Sequence, residues 1–313
     1  MPPSVEAYAP AAISNFFTIT DAPLGKLTRG SDLHSVGALG GGFMLSKGVR
    51  SRVACEFAGG RTEVRTISVD GDPGYDTKTT RTAAEMLLDA SGIEGCRIDI
   101  SQTMEVPVGQ GFGASAAAAL STVNALSRAL ELRMSVAEVA YFAHAADILC
   151  RTGLGTVSVT YKYGGAGVIV KAGAPGVAKV KKVRVPEGVK IVTASLAPYT
   201  KSGLLSSSGM KARVNRLGRD ALASSGDLKL ESLVRAGEVF AARLGLESED
   251  VSRLIRLAKS AGAIGASQNM VGHAVHAVVR QENEGEVVRA FQSDRLSPEV
   301  GTYEFGTGPR FLS

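Results

Sequence analysis

Tryptophan is absent from this 313-residue chain, and aromatic residues make up only 5% of it. With so few flat side chains for bases to stack on, and no RNA-binding signature, nucleic acid is not an expected partner. No apolar run approaches the length needed to cross a bilayer, so no membrane role is expected either. Cysteine is scarce. Cys55, Cys96 and Cys150 are odd in number, far apart and without a C-x-x-C pair that would signal zinc or redox chemistry, so buried, inert thiols are expected. The opening MPPSVEAYAP lacks a basic start followed by an apolar core, which predicts a cytoplasmic protein with neither a secretory nor a transit peptide. Internal repeats and low-complexity linkers are also missing.

What is present is ordinary soluble composition, with 44% apolar and 21% charged residues. A chain of this length forms one large domain or two moderate ones and buries a substantial core. The net charge of +5 suits an anionic ligand. Its densest basic segment, KVKKVRV from Lys179, alternates imperfectly with valine, as a solvated edge strand would.

Along the chain, Val5–Ala9 reads as a strand that enters a loop at Pro10, and Leu39–Phe57 reads as a hairpin about Gly48. A strand is expected at Ile98–Val106, then helices at Ser115–Leu130 and from Ser135 to about Cys150. The second of these opens with the capping-box spacing of Ser135 and Glu138. TGLGTVSVTYKYGGAGVIV reads as a glycine-rich turn followed by strands. Lys190–Pro198 reads as a buried strand, followed by helices near 208–223, 230–244 and 251–261. AGAIGASQNMVG is a second glycine-bearing loop, and HAVHAVVR the strand after it. Strands first and helices later point to an α+β fold of two lobes, residues 1–186 and 187–313.

VPVGQGFGAS places Gly109, Gly111 and Gly113 directly before an alanine-rich helix. The first N–H groups of a helix lack intrahelical partners and carry partial positive charge. Glycines upstream let the backbone fold around an anion, so the pattern is a phosphate cradle in principle, with tight helix packing as the alternative. The loop is neither G-x-x-x-x-G-K-[S/T] nor G-x-G-x-x-G.

PVGQGFGASAAAAL resembles the P-x-x-x-G-[L/F]-G-x-S-[A/G]-A loop of the GHMP small-molecule kinases. Within that superfamily, APAAISNFF, GALGGGFMLSKGV, AHAADILCRTGLGTV, PYTKSGLLS and GASQNMVGHAVHAVV resemble, in order, segments of the archaeal pantoate kinase family of coenzyme A synthesis. The resemblance implies a GHMP kinase fold: a ribosomal-S5-domain-2-like N-terminal lobe, a ferredoxin-like C-terminal lobe and ATP between them. It further implies Mg²⁺-dependent transfer of the γ-phosphoryl group to the 4-hydroxyl of pantoate, and a homodimer. Homoserine kinase, whose opening APAAISNFF also resembles, is the alternative enzyme, and a nucleotide-binding paralog without kinase activity is the alternative outside catalysis.

By this resemblance, ATP meets Pro107, Gly109, Gln110, Gly111, Phe112, Gly113, Ala114, Ser115 and Ala116. Ser115 and Asp147 are the expected Mg²⁺ ligands, against an ordinary helix cap for Ser115 and an i,i+4 ion pair with Arg151 for Asp147. Asn15, Lys201, Gly265 and Ser267 are expected near the acceptor. The sequence departs from the family twice. Thr156 stands where an Asp is expected to orient or deprotonate the acceptor hydroxyl, and a threonine cannot act as a base at neutral pH. Leu39 stands where an arginine is expected; Arg29 and Lys201 are candidate substitutes. His273 and His276 would point to opposite faces of a strand, so they are not expected to share a metal.

Overall fold

The computed structural model describes residues 4–19, 26–197, 208–270 and 272–312. The first strand, β1 (Ser4–Phe17), runs straight through Pro10 and pairs antiparallel with one long strand, β2 (Gly40–Phe57). The loop expected at Pro10 and the hairpin expected at Gly48 are therefore both corrected. Gly48 lies opposite Pro10 beside a register shift, where a Cβ would stand 2.0 Å from the Ala9 carbonyl oxygen. This glycine serves the close approach of two backbones at a bulge and makes no turn.

Beyond β2 come β3 (Glu63–Val69), α1 (Lys78–Ser91) and β4 (Cys96–Met104), with β4 antiparallel to β2 and parallel to β3. Two helices follow, α2 (Ala114–Ala129) and α3 (Val136–Leu149). Both halves of the Ser135/Glu138 capping box form at the start of α3, a device that contributes about 1 kcal/mol. The next segment departs from expectation: Thr156–Thr160 is a short helix, α4, before β5 (Ala166–Lys171) and β6 (Lys179–Val183). Its residues, TVSVT, favour a strand by propensity, but burial of Val157 and the bond from Ser158 Oγ to the Gly173 carbonyl (2.7 Å) override that preference. Among the described residues β6 pairs only with β5, and Lys179, Lys181 and Lys182 are exposed, as an edge strand requires.

The first sheet has the order β11-β1-β2-β4-β3, with β5 and β6 continuing from β2, and helices α1, α2 and α3 cover one face. Ala116 to Ala119 are all buried, so α2 lies close against β1 and β2. A buried polar knot ties it there: Gln102 Nε2 donates to Ser51 Oγ (2.9 Å), Thr122 Oγ1 (3.1 Å) and the Ala118 carbonyl (3.1 Å). Cys55 and Cys96 are buried and free, and burial pushes the Cys55 thiol up to about 12, so both are inert as expected; Cys150 is half-buried.

The second half comprises β7 (Val189–Ser195), α5 (Ser208–Ser224), α6 (Leu230–Leu244), α7 (Glu249–Ser260), β8 (Gly265–Gln268), β9 (Ala274–Arg280), α8 (Glu284–Gln292) and β10 (Glu299–Tyr303). Its sheet order, β10-β7-β9-β8, is the split βαβ arrangement of ferredoxin-like folds. Helices α7 and α8 cover one face. The other face packs into a core that also holds Phe16 and Phe43 of the first sheet and Phe240 of α6, each burial contributing about 1.5–3 kcal/mol. The last strand, β11 (Arg310–Phe311), returns to pair with β1, so a division at 186/187 separates the two sheets except for this strand. Among the described residues no helix is long and apolar enough to cross a membrane.

Candidate active site

The glycine loop sits where the two sheets meet. Gly109, Gly111 and Gly113 all have positive φ (75°, 79° and 63°), and Gly113 caps α2. Phe112 anchors the loop: its ring is buried against Tyr303 and its carbonyl accepts the Ala12 N–H at 2.9 Å. From the other side, Asn269 Nδ2 donates to the Gln110 carbonyl (3.3 Å), and the Gln110 side-chain Nε2 donates to the Leu196 carbonyl (2.6 Å). A Cβ on Gly111 would meet Asn269 Cβ at 2.9 Å, and one on Gly113 would meet Thr156 Cγ2 at 3.2 Å, whereas one on Gly109 would face open space.

So held, the loop keeps its donors free. Among the described residues, none of the backbone N–H groups of Gly109 to Gly113 donates a hydrogen bond. The first amides of α2 lack intrahelical partners by construction. A run of unpaired N–H groups at a helix start, in a glycine backbone that leaves room beside Gly109, is the donor set an oligophosphate needs. The alanines on either side of Ser115 are buried, as are the side chains of Phe112 and Gln110, so these residues offer a phosphate only their backbone.

Ser115 is the second residue of α2, two past the Gly113 cap, so the ordinary capping role is not its own. Its hydroxyl is partly exposed and makes no hydrogen bond among the described residues. A short turn joins α2 to α3, and the two helices pack together, so they run antiparallel and bring Ser115 and Asp147 to the same end of the pair. Thr156, first residue of α4, arrives at that end as well, beside Gly113.

Asp147 is 2% exposed, and its Oδ1 accepts from Thr152 Oγ1 at 2.6 Å. The ion pair with Arg151 does not form: Arg151 lies past the helix end in a left-handed conformation. Burial, with no cationic partner among the described residues, pushes the Asp147 carboxyl up to about 6. A Cβ on Gly153 would fall 2.1 Å from Asp147 Oδ2, so the TGLG turn is folded directly over the carboxylate. A buried carboxylate that lacks a cation fits a divalent metal, which commonly takes one or two carboxylates along with phosphates and water. His144, on the same helix, is instead structural: its Nε2 meets the Val36 carbonyl (2.9 Å), and burial lowers its pKa to about 4.

The expected acceptor residues fare differently. Asn15 is wholly enclosed, donating to the Leu233 carbonyl (2.6 Å) and facing His276 with its oxygen (3.1 Å). Gly265 and Ser267 lie within strand β8 and not in a loop; a Cβ on Gly265 would meet Val234 at 2.4 Å, and Ser267 Oγ donates to the Gly237 carbonyl. All three occupy packing positions among the described residues, Asn15 within β1 and the other two where pairing of β8 with β9 turns that strand inward against α6. The residues just beyond β8 that do reach the glycine loop are Asn269 and Gly272: a Cβ on Gly272 would stand 2.1 Å from the Gln110 carbonyl oxygen. Asn269 carried no signal in the sequence beyond its place in a glycine-bearing stretch. Lys201 lies outside the described residues. Arg29 is engaged with Glu85 (2.5 Å) and Asp89 (3.7 Å) of α1. Leu39 is half-buried, its backbone bonded to Thr18. His273 and His276 have separate partners, Ser248 and the Ala197 carbonyl for the first, Asn269 and Asn15 for the second.

Residues 78–161, from α1 to the end of α4, match the family described as GHMP kinases N terminal domain. The pantoate kinase of Methanospirillum hungatei is 28% identical over 276 residues, covering 88% of this chain and 87% of its own. The pantoate kinase of Thermococcus kodakarensis is 28% identical over 299 residues, 94% of this chain and 93% of its own. Among solved structures, a phosphotransferase related to the CoA biosynthesis pathway superposes with a TM-score of 0.84 at 25% identity, covering 99% of both chains.

Proposed function

From a chain that is a GHMP kinase related to the archaeal pantoate kinases, we propose an enzyme that transfers the γ-phosphoryl group of ATP to the 4-hydroxyl of pantoate. The observation that carries this reading is the run of unpaired N–H groups from Gly109 to Gly113, aimed with the start of α2. Phosphoryl transfer demands mainly alignment and neutralisation of charge, and amides fixed in advance supply both without reorganising during the reaction. In this reading the amides from Gly109 to Ser115 hold the polyphosphate, and Phe112 and Asn269 keep the loop in place.

Ser115 and Asp147 would hold Mg²⁺, which supplies charge neutralisation on the phosphates when bound. Thr152 orients the Asp147 carboxylate, and the TGLG turn keeps water from it. Thr156, whose methyl lies beside Gly113, would align the acceptor hydroxyl by hydrogen bonding but cannot remove its proton. The reaction then rests on electrostatics and positioning, without the roughly 10²–10⁴-fold that a base contributes.

The test is incubation of the purified protein with Mg-ATP and pantoate, homoserine or mevalonate, with phosphorylated product followed by mass spectrometry. Phosphopantoate as the main product is expected. Product from homoserine alone, or ATP binding with no product at all, overturns the assignment. A second expected outcome concerns the missing base: Thr156→Asp raises kcat about tenfold or more, with a new dependence on a group titrating in the acid range. An unchanged rate would mean that the pocket around the acceptor, and not the base alone, has diverged.

A further inference from the structure

Behind the glycine loop, a line of buried side chains runs from α6 to the loop itself. Asn15 Nδ2 donates to the Leu233 carbonyl in α6 (2.6 Å), and Asn15 Oδ1 faces His276 Nε2 (3.1 Å). On the other side of the ring, His276 Nδ1 faces Asn269 Oδ1 (2.9 Å), and Asn269 Nδ2 donates to the Gln110 carbonyl (3.3 Å). Asn15 and Asn269 are 0% exposed and His276 2%. The line thus crosses β1, β9 and the turn after β8 before it reaches the loop.

Hydrogen-bond chemistry settles which end of each amide points where. A backbone carbonyl oxygen can only accept, so each asparagine must present its NH₂ to the carbonyl and its oxygen to the ring. Both ring nitrogens of His276 therefore face acceptors. An imidazolium would satisfy both, but among the described residues no carboxylate partners the ring, Phe43 packs edge-on against it, and burial lowers its pKa to about 3. The ring is neutral at physiological pH and has one N–H for two oxygens. Either Nδ1 carries the proton and holds Asn269, or Nε2 carries it and holds Asn15. In the second case Asn269 gains its best bond to the ring by turning over, which sets its oxygen against the Gln110 carbonyl and releases the loop.

We infer that the Nδ1–H tautomer of His276 is the working state, and that His276 is a positioning residue that holds the glycine loop through Asn269. For catalysis this rests on the reading of that loop as the nucleotide cradle; the effect on the loop itself does not. An asparagine at 276 places its NH₂ near the Nδ1 position, and a glutamine places it near Nε2. His276→Asn should therefore keep the loop, and His276→Gln should release it. Asn269→Asp, which cannot donate to Gln110, should behave like the glutamine variant.

The experiment has three measurements. Two-bond ¹H–¹⁵N spectra of the full chain read the tautomer of His276 directly, without ligand; Nδ1–H is expected, and Nε2–H overturns the inference. Hydrogen exchange of the Ala12 amide, which donates to the Phe112 carbonyl of the loop (2.9 Å), should quicken by at least tenfold in His276→Gln and Asn269→Asp but not in His276→Asn. Equal protection in all three overturns it, and the wild-type tautomer still decides the matter if a variant fails to fold. With Mg-ATP, the same two variants should raise the nucleotide Kd about tenfold with acceptor KM unchanged, rescued in His276→Asn. If the wild type binds no ATP while tautomer and exchange behave as expected, the kinase reading fails and the role of His276 in holding the loop stands.

Discussion

Replacing Gly111 with alanine is expected to lower kcat/KM by about a hundredfold or more, the scale of losing a fixed donor to a developing negative charge. Gly111 has φ 79°, a region that costs an alanine about 1–2 kcal/mol. Its new methyl would also stand 2.9 Å from Asn269 Cβ and 3.0 Å from the Asn269 carbonyl oxygen, both parts of the segment that locks the loop. The loop must then move away from Asn269, and its N–H groups lose their common aim. Gly109→Ala is the internal control: its φ is 75°, but a Cβ there meets nothing, so it carries the backbone strain without the collision. Steady-state kinetics and calorimetric titration with a non-hydrolysable ATP analogue separate the two. Equal, mild losses in both variants would show that contact with Asn269 does not set the loop, and wild-type binding in Gly111→Ala would remove the cradle from this segment.

Asp147→Asn should cut turnover by at least a hundredfold while making the metal-free protein more stable at neutral pH. The sign follows from the carboxyl's raised pKa, from 3.8 to about 6, which burial causes. Below about pH 4 the group is protonated in both folded and unfolded chains and costs nothing. Between about 4 and 6 the unfolded chain releases its proton first, so wild-type stability falls as pH rises, and above about 6 the loss is complete at about 3 kcal/mol. Asparagine does not titrate and can still accept from Thr152. The difference in Tm between variant and wild type should therefore open across that window and stay open above it. Added Mg²⁺ with nucleotide should close the gap by stabilising only the wild type. Thermal melts from pH 4 to 8, with and without Mg-ATP, measure this; a variant less stable than wild type at pH 8 without metal would show that the carboxylate already has a cationic partner.

Much of the organisation was legible because its signals are local. Ser135 and Glu138 are three residues apart, and the cap they predict needs nothing from the rest of the chain. The glycine loop and the helix it feeds are likewise contiguous, and the edge strand with its lysines showed in its own alternation. Gly48 misled because glycine signals both turns and close approaches, and which one applies depends on Pro10 lying opposite. Thr156–Thr160 misled because β-branched residues accept a helix where a buried valine makes it worthwhile. Ser267 read as loop from its glycine-bearing surroundings, whereas pairing with β9 made it strand.

By itself the sequence determined the helices α2, α3, α5, α6 and α7, the capped start of α3 and a cluster of glycines placed before α2, since each depends on neighbours a few residues away. Only the tertiary structure decided which of those glycine amides lack partners among the described residues, that Asp147 is buried with no counter-charge among them, and that His276 faces an oxygen on both sides. The physical reason is distance along the chain. Hydrogen-bond satisfaction and desolvation depend on what surrounds a group in space, and the partners of His276 include Asn15, 261 residues away.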